Sequence, residues 1–169
     1  MTVKETESVQ GTMDSRTEKR KTPVLYLVVP CYNEEEVIEK SARVLGDKMR
    51  RLQHVGRIAA GSKIMFVNDG SKDSTLRLLH AAAARDTMFS VISLAGNYGH
   101  QSAILAGMMT ARQYADVVVT IDADLQQDIE ALDKFIDSYT AGSEVVYGVR
   151  NDRHSHGIFK KGSAPLYSI

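Results

Sequence analysis

Cysteine is almost missing from this chain: Cys31 is the only one in 169 residues. A lone thiol excludes an internal disulfide and suits a reducing compartment. Neither sign of charge is in excess, with 21 Lys and Arg against 21 Asp and Glu. The basic surplus of a nucleic-acid binder is therefore absent. No apolar run reaches the length of a membrane span, and the N-terminus lacks the apolar core of a signal peptide. These absences predict a soluble cytoplasmic chain. Three phosphate and nucleophile signatures are also missing. Without G-x-x-x-x-G-K-[ST] the chain is no P-loop NTPase, and without G-x-G-x-x-G a dinucleotide site is not expected. Without G-x-S-x-G there is no hydrolase nucleophile elbow.

What is present is ordinary for one globular domain: 43% hydrophobic and 25% charged residues. Residues 1–22 are polar and unpatterned, and read as a flexible tail whose small basic cluster, Glu18 to Lys21, is a solvated leader. Residues 23–150 alternate strand and helix patterns. Val24 to Val29 is an apolar run stopped by Pro30. Asn33 is a good N-cap residue, with Glu34, Glu35 and Glu36 placed to suit a helix dipole. Lys63 to Val67, Met88 to Leu94, Val117 to Ile121 and Glu144 to Val149 complete five strands, separated by helical spacings. Such alternation predicts an α/β fold with an open, mainly parallel sheet and flanking helices. Ala103, Gly107 and Ala111 form a stripe of small residues that would let one helix approach the sheet closely. Residues 151–169 lose the pattern and read as a mobile C-terminal segment.

The stretch Val117-Val118-Val119-Thr120-Ile121-Asp122-Ala123-Asp124 organises the rest. A buried strand cannot end in two unpaired carboxylates inside a core. It must deliver them to the carboxyl edge of the sheet, where ligands of open α/β sheets bind. Oxygen ligands of this kind suit a hard divalent cation that keeps water and substrate phosphates in its shell. Taken alone, Asp-x-Asp reads more readily as a solvated strand-end turn. Asn68-Asp69-Gly70-Ser71 after the second strand is either a ligand-facing edge or a helix N-terminal turn capped by Asp73 or Ser71. Glu34 reads a base edge or complements a dipole; Tyr32 stacks on a base or packs on its loop. His100 is better placed at a helix start than as a base. Cys31 has no partner histidine at motif spacing and reads as packing. His154 and His156 lack partners at zinc spacing. Polar clusters nevertheless follow four successive strands, and topology puts all four at one end of the sheet.

Taken in order, Val29-Pro30-Cys31-Tyr32-Asn33-Glu34, Val67-Asn68-Asp69-Gly70-Ser71-Lys72-Asp73-Ser74-Thr75, Asn97-Tyr98-Gly99-His100-Gln101 and Asp122-Ala123-Asp124-Leu125-Gln126 resemble family 2 glycosyltransferases. The likeness covers about Pro23 to Lys161 and is greatest to the branch that loads sugar onto a polyprenyl phosphate, as dolichyl-phosphate mannose synthases do. It implies the glycosyltransferase A-type nucleotide-binding fold, whole or truncated. It implies that Pro30, Tyr32, Glu34 and Asp69 line a nucleoside pocket for a UDP- or GDP-sugar, and that Asp122 and Ala123 touch the nucleotide. Asp124 and Gln126 would ligate Mg2+ or Mn2+, Asp124 acting in catalysis mainly through the metal, and Arg150 would approach the phosphates. The implied reaction is inverting transfer to a lipid phosphate, within the glycan biosynthesis of the cell envelope, by enzymes often attached to the cytoplasmic face of the membrane. Asn68 stands where the family usually carries Asp. Gln127-Asp128-Ile129-Glu130 replaces a common acid and two prolines. The short chain is expected to bind donor but to transfer poorly, and a homo-oligomer is compatible with it. The alternatives are a non-catalytic nucleotide-sugar-binding module, a nucleotidyltransferase, or an Asp-x-Asp phosphatase. A phosphatase would place its pair after the first strand, with Thr where Gln126 stands.

Overall fold

The computed structural model describes residues 2–5 and 21–149. In chain order the elements are β1 (Thr2–Glu5), β2 (Leu25–Cys31), α1 (Ile38–His54), β3 (Lys63–Asn68), α2 (Thr75–Arg85), β4 (Phe89–Ser93), α3 (His100–Ala111), β5 (Val117–Thr120), α4 (Ala131–Thr140) and β6 (Val146–Val149). Four strands form a parallel sheet in the order β4-β3-β2-β5. All seven residues of β2 are buried, which is why its sequence is a continuous apolar run rather than an alternating one.

The chain winds outward from β2 through α1, β3, α2 and β4, and then crosses back by α3 to β5 on the other side of β2. The winding therefore reverses between β2 and β5. On one face Leu25, Leu27, Val29, Ile64 and Phe66 meet Leu45, Met49 and Leu52 of α1 and Leu132 and Ile136 of α4. Burial of each such side chain contributes roughly 1.5–3 kcal/mol before conformational entropy is subtracted. The opposite face, with Tyr26, Val28, Met65 and Val67, packs on α3 through Ala103 and Ala111. Gly107 completes that stripe: a Cβ there would sit 2.4 Å from Val28 Cγ1. The small residues thus set how near α3 lies to the sheet.

Four details differ from the sequence reading. Pro30 does not stop β2, which continues to Cys31. Val28 accepts the Ile121 N–H, so Pro30, two residues on, faces the same side beyond the last residue of β5. Its missing N–H therefore leaves no gap in the ladder. Asn33 is not an N-cap, because α1 begins only at Ile38 after a turn over Glu35–Val37. The last predicted strand is present as β6 but joins β1 in a separate antiparallel pair. Thr2–Glu5 is accordingly strand rather than tail; the rest of the tail up to residue 20, and the segment 150–169, lie outside the described residues.

A polar seam fixes α1 to the start of α4. Lys48, buried to 5% exposure, donates to Glu130 and Asp133. The Lys48 hydrogen bond, with help from Arg51, holds the Glu130 carboxyl below its ordinary range. This seam anchors the far end of the segment that follows β5. Among the described residues no helix is long and apolar enough to cross a membrane.

Candidate active site

A cleft of about 320 Å3 opens at the carboxyl ends of the parallel strands, at the reversal between β2 and β5. Each parallel strand supplies part of its wall. Pro30, Cys31, Tyr32 and Glu34 come from the end of β2, and Asp69 from β3. Asn97, Gly99 and His100 follow β4, and Asp122, Ala123 and Asp124 follow β5. Of the residues singled out in the sequence, Pro30, Tyr32, Glu34, Asp69, Asp122, Ala123 and Asp124 are thus brought together. Gln126 is exposed and outside the lining, and its backbone N–H donates to Asp124 Oδ1 at 3.0 Å. Arg150, His154 and His156 fall outside the described residues.

The loops are tied to one another before any ligand arrives. Asn33, with φ +54°, donates its N–H to Ser71 Oγ and accepts the Lys72 N–H at 2.8 Å. Glu34 donates its N–H to Thr75 Oγ1, and Glu35 accepts the Ser74 N–H at the start of α2. The loop after β2 is therefore bonded to the loop after β3. Asp69, only 2% exposed, accepts the Tyr98 N–H at 2.7 Å and the Gly99 N–H at 2.9 Å. It thereby holds the loop after β4, while both oxygens keep lone pairs for a further donor. Asn68 lies behind the wall: its amide donates to Ser93 Oγ and accepts the Ser71 N–H. A carboxylate could not donate to Ser93, so the amide's donor half is used in joining β3 to β4.

The Asp-x-Asp segment is likewise held. Asp122 donates its N–H to Gln127 Oε1 at 2.7 Å, and Gln127 Nε2 donates to Asp122 Oδ2. Ser41 of α1 donates to the Ala123 carbonyl. His100 Nε2 lies 3.5 Å from Asp122 Oδ1, at the first residue of α3. Sequence reasoning missed Ser41 and Gln127. The available signal for Ser41 was a hydroxyl set on the buried stripe of α1 with Ile38, Ala42 and Leu45. The signal for Gln127 was its place at the start of the run that departs from the family pattern, which names no partner for its amide.

The electrostatics are one-sided. Glu34, Asp69, Asp122 and Asp124 all line the cleft. Partial burial, then the charges of Asp124, Asp73 and Asp122, push the Glu34 carboxyl above its ordinary range. Burial, with the Glu34 charge, likewise pushes up the Cys31 thiol, whose Sγ lies 3.4 Å from the Val29 carbonyl. A neutral buried thiol is a packing group rather than a nucleophile. The carboxylates form an oxygen-rich, negatively charged rim, a donor set that fits a hard divalent cation. Among the described residues no three His, Cys, Asp or Glu are grouped as a complete cage.

Comparisons with known proteins agree with this arrangement. The Glycosyl transferase family 2 description matches residues 26–166. An uncharacterized glycosyltransferase, YkoT, of Bacillus subtilis (strain 168) is 44% identical over 146 residues, covering 86% of this chain and 43% of that protein. A bactoprenol glucosyl transferase of Shigella phage SfV is 36% identical, covering 83% and 43%. The undecaprenyl-phosphate 4-deoxy-4-formamido-L-arabinose transferase of Pseudomonas fluorescens is 38% identical, covering 85% and 40%. The chain spans about two fifths of the length of these relatives. Among solved structures, the mannosyltransferase PcManGT of Pyrobaculum calidifontis, in complex with GDP-Man and Mn2+, superposes with a TM-score of 0.55 at 17% identity, covering 78% of this chain and 35% of that one. The fold is the glycosyltransferase A type, an open parallel sheet with helices on its faces, whose winding reverses where the cleft lies. With that fold, those strand-end residues and relatives matched over most of its length, the chain belongs to glycosyl transferase family 2.

Proposed function

We propose that the cleft binds the nucleotide diphosphate of a UDP- or GDP-sugar and that the domain serves inverting transfer of the sugar to a polyprenyl phosphate. The observation that carries this reading is the convergence of the loops after β2, β3, β4 and β5 on one acidic cleft. The lipid acceptor is suggested by relatives named for bactoprenol and undecaprenyl phosphate. Tyr32 and Pro30 would pack on the base, with Glu34 and Asp69 as acceptors for base or ribose donors. Asp122 and Ala123 would meet the nucleotide, with Arg150 near its phosphates. Asp124 and Gln126 would hold Mg2+ or Mn2+. When bound, such a cation supplies neutralisation of the charge that builds on the leaving diphosphate.

The chain's own residues orient the donor and hold the negative rim in place. A phosphate acceptor is already anionic at neutral pH, with its second pKa near ~6. A strong general base is then not required of Asp124, whose role is to hold charge rather than move a proton. Thermal unfolding with UDP, GDP and Mn2+ tests the site. One nucleotide should raise the midpoint, and more with the cation than without it, and Asp124→Ala should abolish that extra rise. An unresponsive wild-type protein would overturn the reading. Incubation with sugar nucleotide and undecaprenyl phosphate then separates an enzyme, which forms glycolipid, from a donor-binding module, which does not.

A further inference from the structure

The two side chains that hold the Asp-x-Asp segment, Gln127 and Ser41, lie outside the cleft lining. We propose that Gln127 and Ser41 are positioning residues that set Asp122 and Asp124 for the cation–nucleotide pair. This rests on the donor-site reading above and assigns the machinery that keeps the site in shape.

Asp122 and Asp124 sit close enough to Glu34 for their charges to act on its carboxyl. Left to themselves, like charges in one cleft turn outward to water. Three constraints oppose that. Gln127 grips Asp122 from two sides, its Oε1 accepting the backbone N–H and its Nε2 donating to Oδ2. Oδ2 is thereby occupied, and Oδ1 is the oxygen facing His100. Ser41, 1% exposed, fixes the carbonyl of Ala123 midway between the two carboxylates. The Val37 carbonyl of its own helix lies 3.0 Å away as the alternative acceptor for the single hydroxyl proton, and the Ala123 carbonyl is the nearer, so Ser41 links the segment to the body of α1. Beyond Asp124 the chain turns through Leu125 at φ +58°, a conformation that leucine rarely adopts. The Leu125 side chain packs on the core, which retains the turn. The segment is therefore shaped from outside by an amide, a hydroxyl and an apolar anchor.

A group that only shapes a metal-binding carboxylate affects cation affinity more than nucleotide contacts made elsewhere in the cleft. Gln127→Glu is the informative variant. It keeps the size and the acceptor for the Asp122 N–H, but loses the donor to Oδ2 and places a like charge there. Ser41→Ala removes the hydroxyl alone. Calorimetric titration of the full chain with UDP and GDP, with and without Mn2+, reads the effect, with melting temperature recorded in parallel. In Gln127→Glu the gain in nucleotide affinity conferred by Mn2+ should fall about tenfold, the scale of outer-shell substitutions. Affinity without Mn2+ should stay within about twofold, since the base and ribose contacts remain. Ser41→Ala should shift in the same direction. Equal losses with and without Mn2+, or an unchanged Mn2+ gain in Gln127→Glu, would overturn the inference. If Ser41→Ala fails to fold, Gln127→Glu on the half-exposed loop decides alone. A wild-type protein without Mn2+-dependent binding defeats the donor-site reading itself, and that failure is seen before any variant is made.

Discussion

Gly70 and Gly96 pack backbone on backbone. A Cβ on Gly70 would lie 2.4 Å from the Gly96 carbonyl carbon, and the residue has φ +67°. The loop after β3 therefore touches the loop after β4 with no room for a side chain. Gly70→Ala should cost about 2–4 kcal/mol, combining left-handed strain with an overpacked contact. Denaturant unfolding measures this directly. A wild-type midpoint in Gly70→Ala would mean that the two loops part freely.

The neighbouring carboxylate makes a separable prediction. Asp69→Asn replaces one of two acceptors, facing the Tyr98 and Gly99 N–H groups, with an NH2 donor. One of those part-buried bonds is lost, at a cost of about 1 kcal/mol or more. Because His100 and Asn97 share this loop, nucleotide response should fall as well. Amide exchange at Tyr98 and Gly99 checks the first effect, since their protection should drop while that of β2 is kept.

On the other face of the sheet, Gly107 stands 2.4 Å from Val28 Cγ1 and 2.9 Å from Val67 Cγ2, as measured from the position a Cβ would take. Gly107→Ala gains helix propensity but overpacks this contact, and the clash should win by about 1–3 kcal/mol. Val28→Ala opens a cavity and also destabilises. Together they should cost less than the sum of the two, because the extra methyl fills the space vacated by the valine. Strict additivity in a double-mutant cycle would place α3 farther from the sheet than described.

The legible part of this molecule was local in sequence. The run Val117 to Thr120 ending at Asp122 announced a strand that delivers Asp122 to the cleft, although β5 is a half-buried edge strand rather than the buried one its apolar run predicts. The 4-residue spacing of Ala103, Gly107 and Ala111 announced a close helix. What sequence could not show was pairing between distant residues. Asn33 followed by glutamates carries the same local signal as a helix N-cap, yet its partner is the Lys72 N–H, 39 positions away. The partner that makes β6 a strand of its own sheet lies at the other end of the chain. Ser41 and Gln127 belong to the same class: a polar side chain states what it can bond, not which backbone atom will be near. In each case the fold decides the partner, and the residue type only permits it.

Glu34 supplies a prediction in pH. Its carboxyl is raised from 4.5 by burial and by the charges of Asp124, Asp73 and Asp122, so the folded protein binds that proton more tightly than the unfolded chain does. Stability rises with pH only where the unfolded state holds more protons, and here the folded state holds more. Glu34 therefore lowers stability as pH climbs from its ordinary value through its elevated one, and the full penalty is present at neutral pH. Glu34→Gln removes the charge and keeps the shape. Its melting temperature should match wild type below pH 4.5 and exceed it at pH 7. Mn2+ should narrow the gap at pH 7, since a cation beside Asp122 and Asp124 offsets the repulsion but not the burial. A gap that persists unchanged at low pH would locate the effect in packing, and one unaffected by Mn2+ would separate the cation from this group of carboxylates.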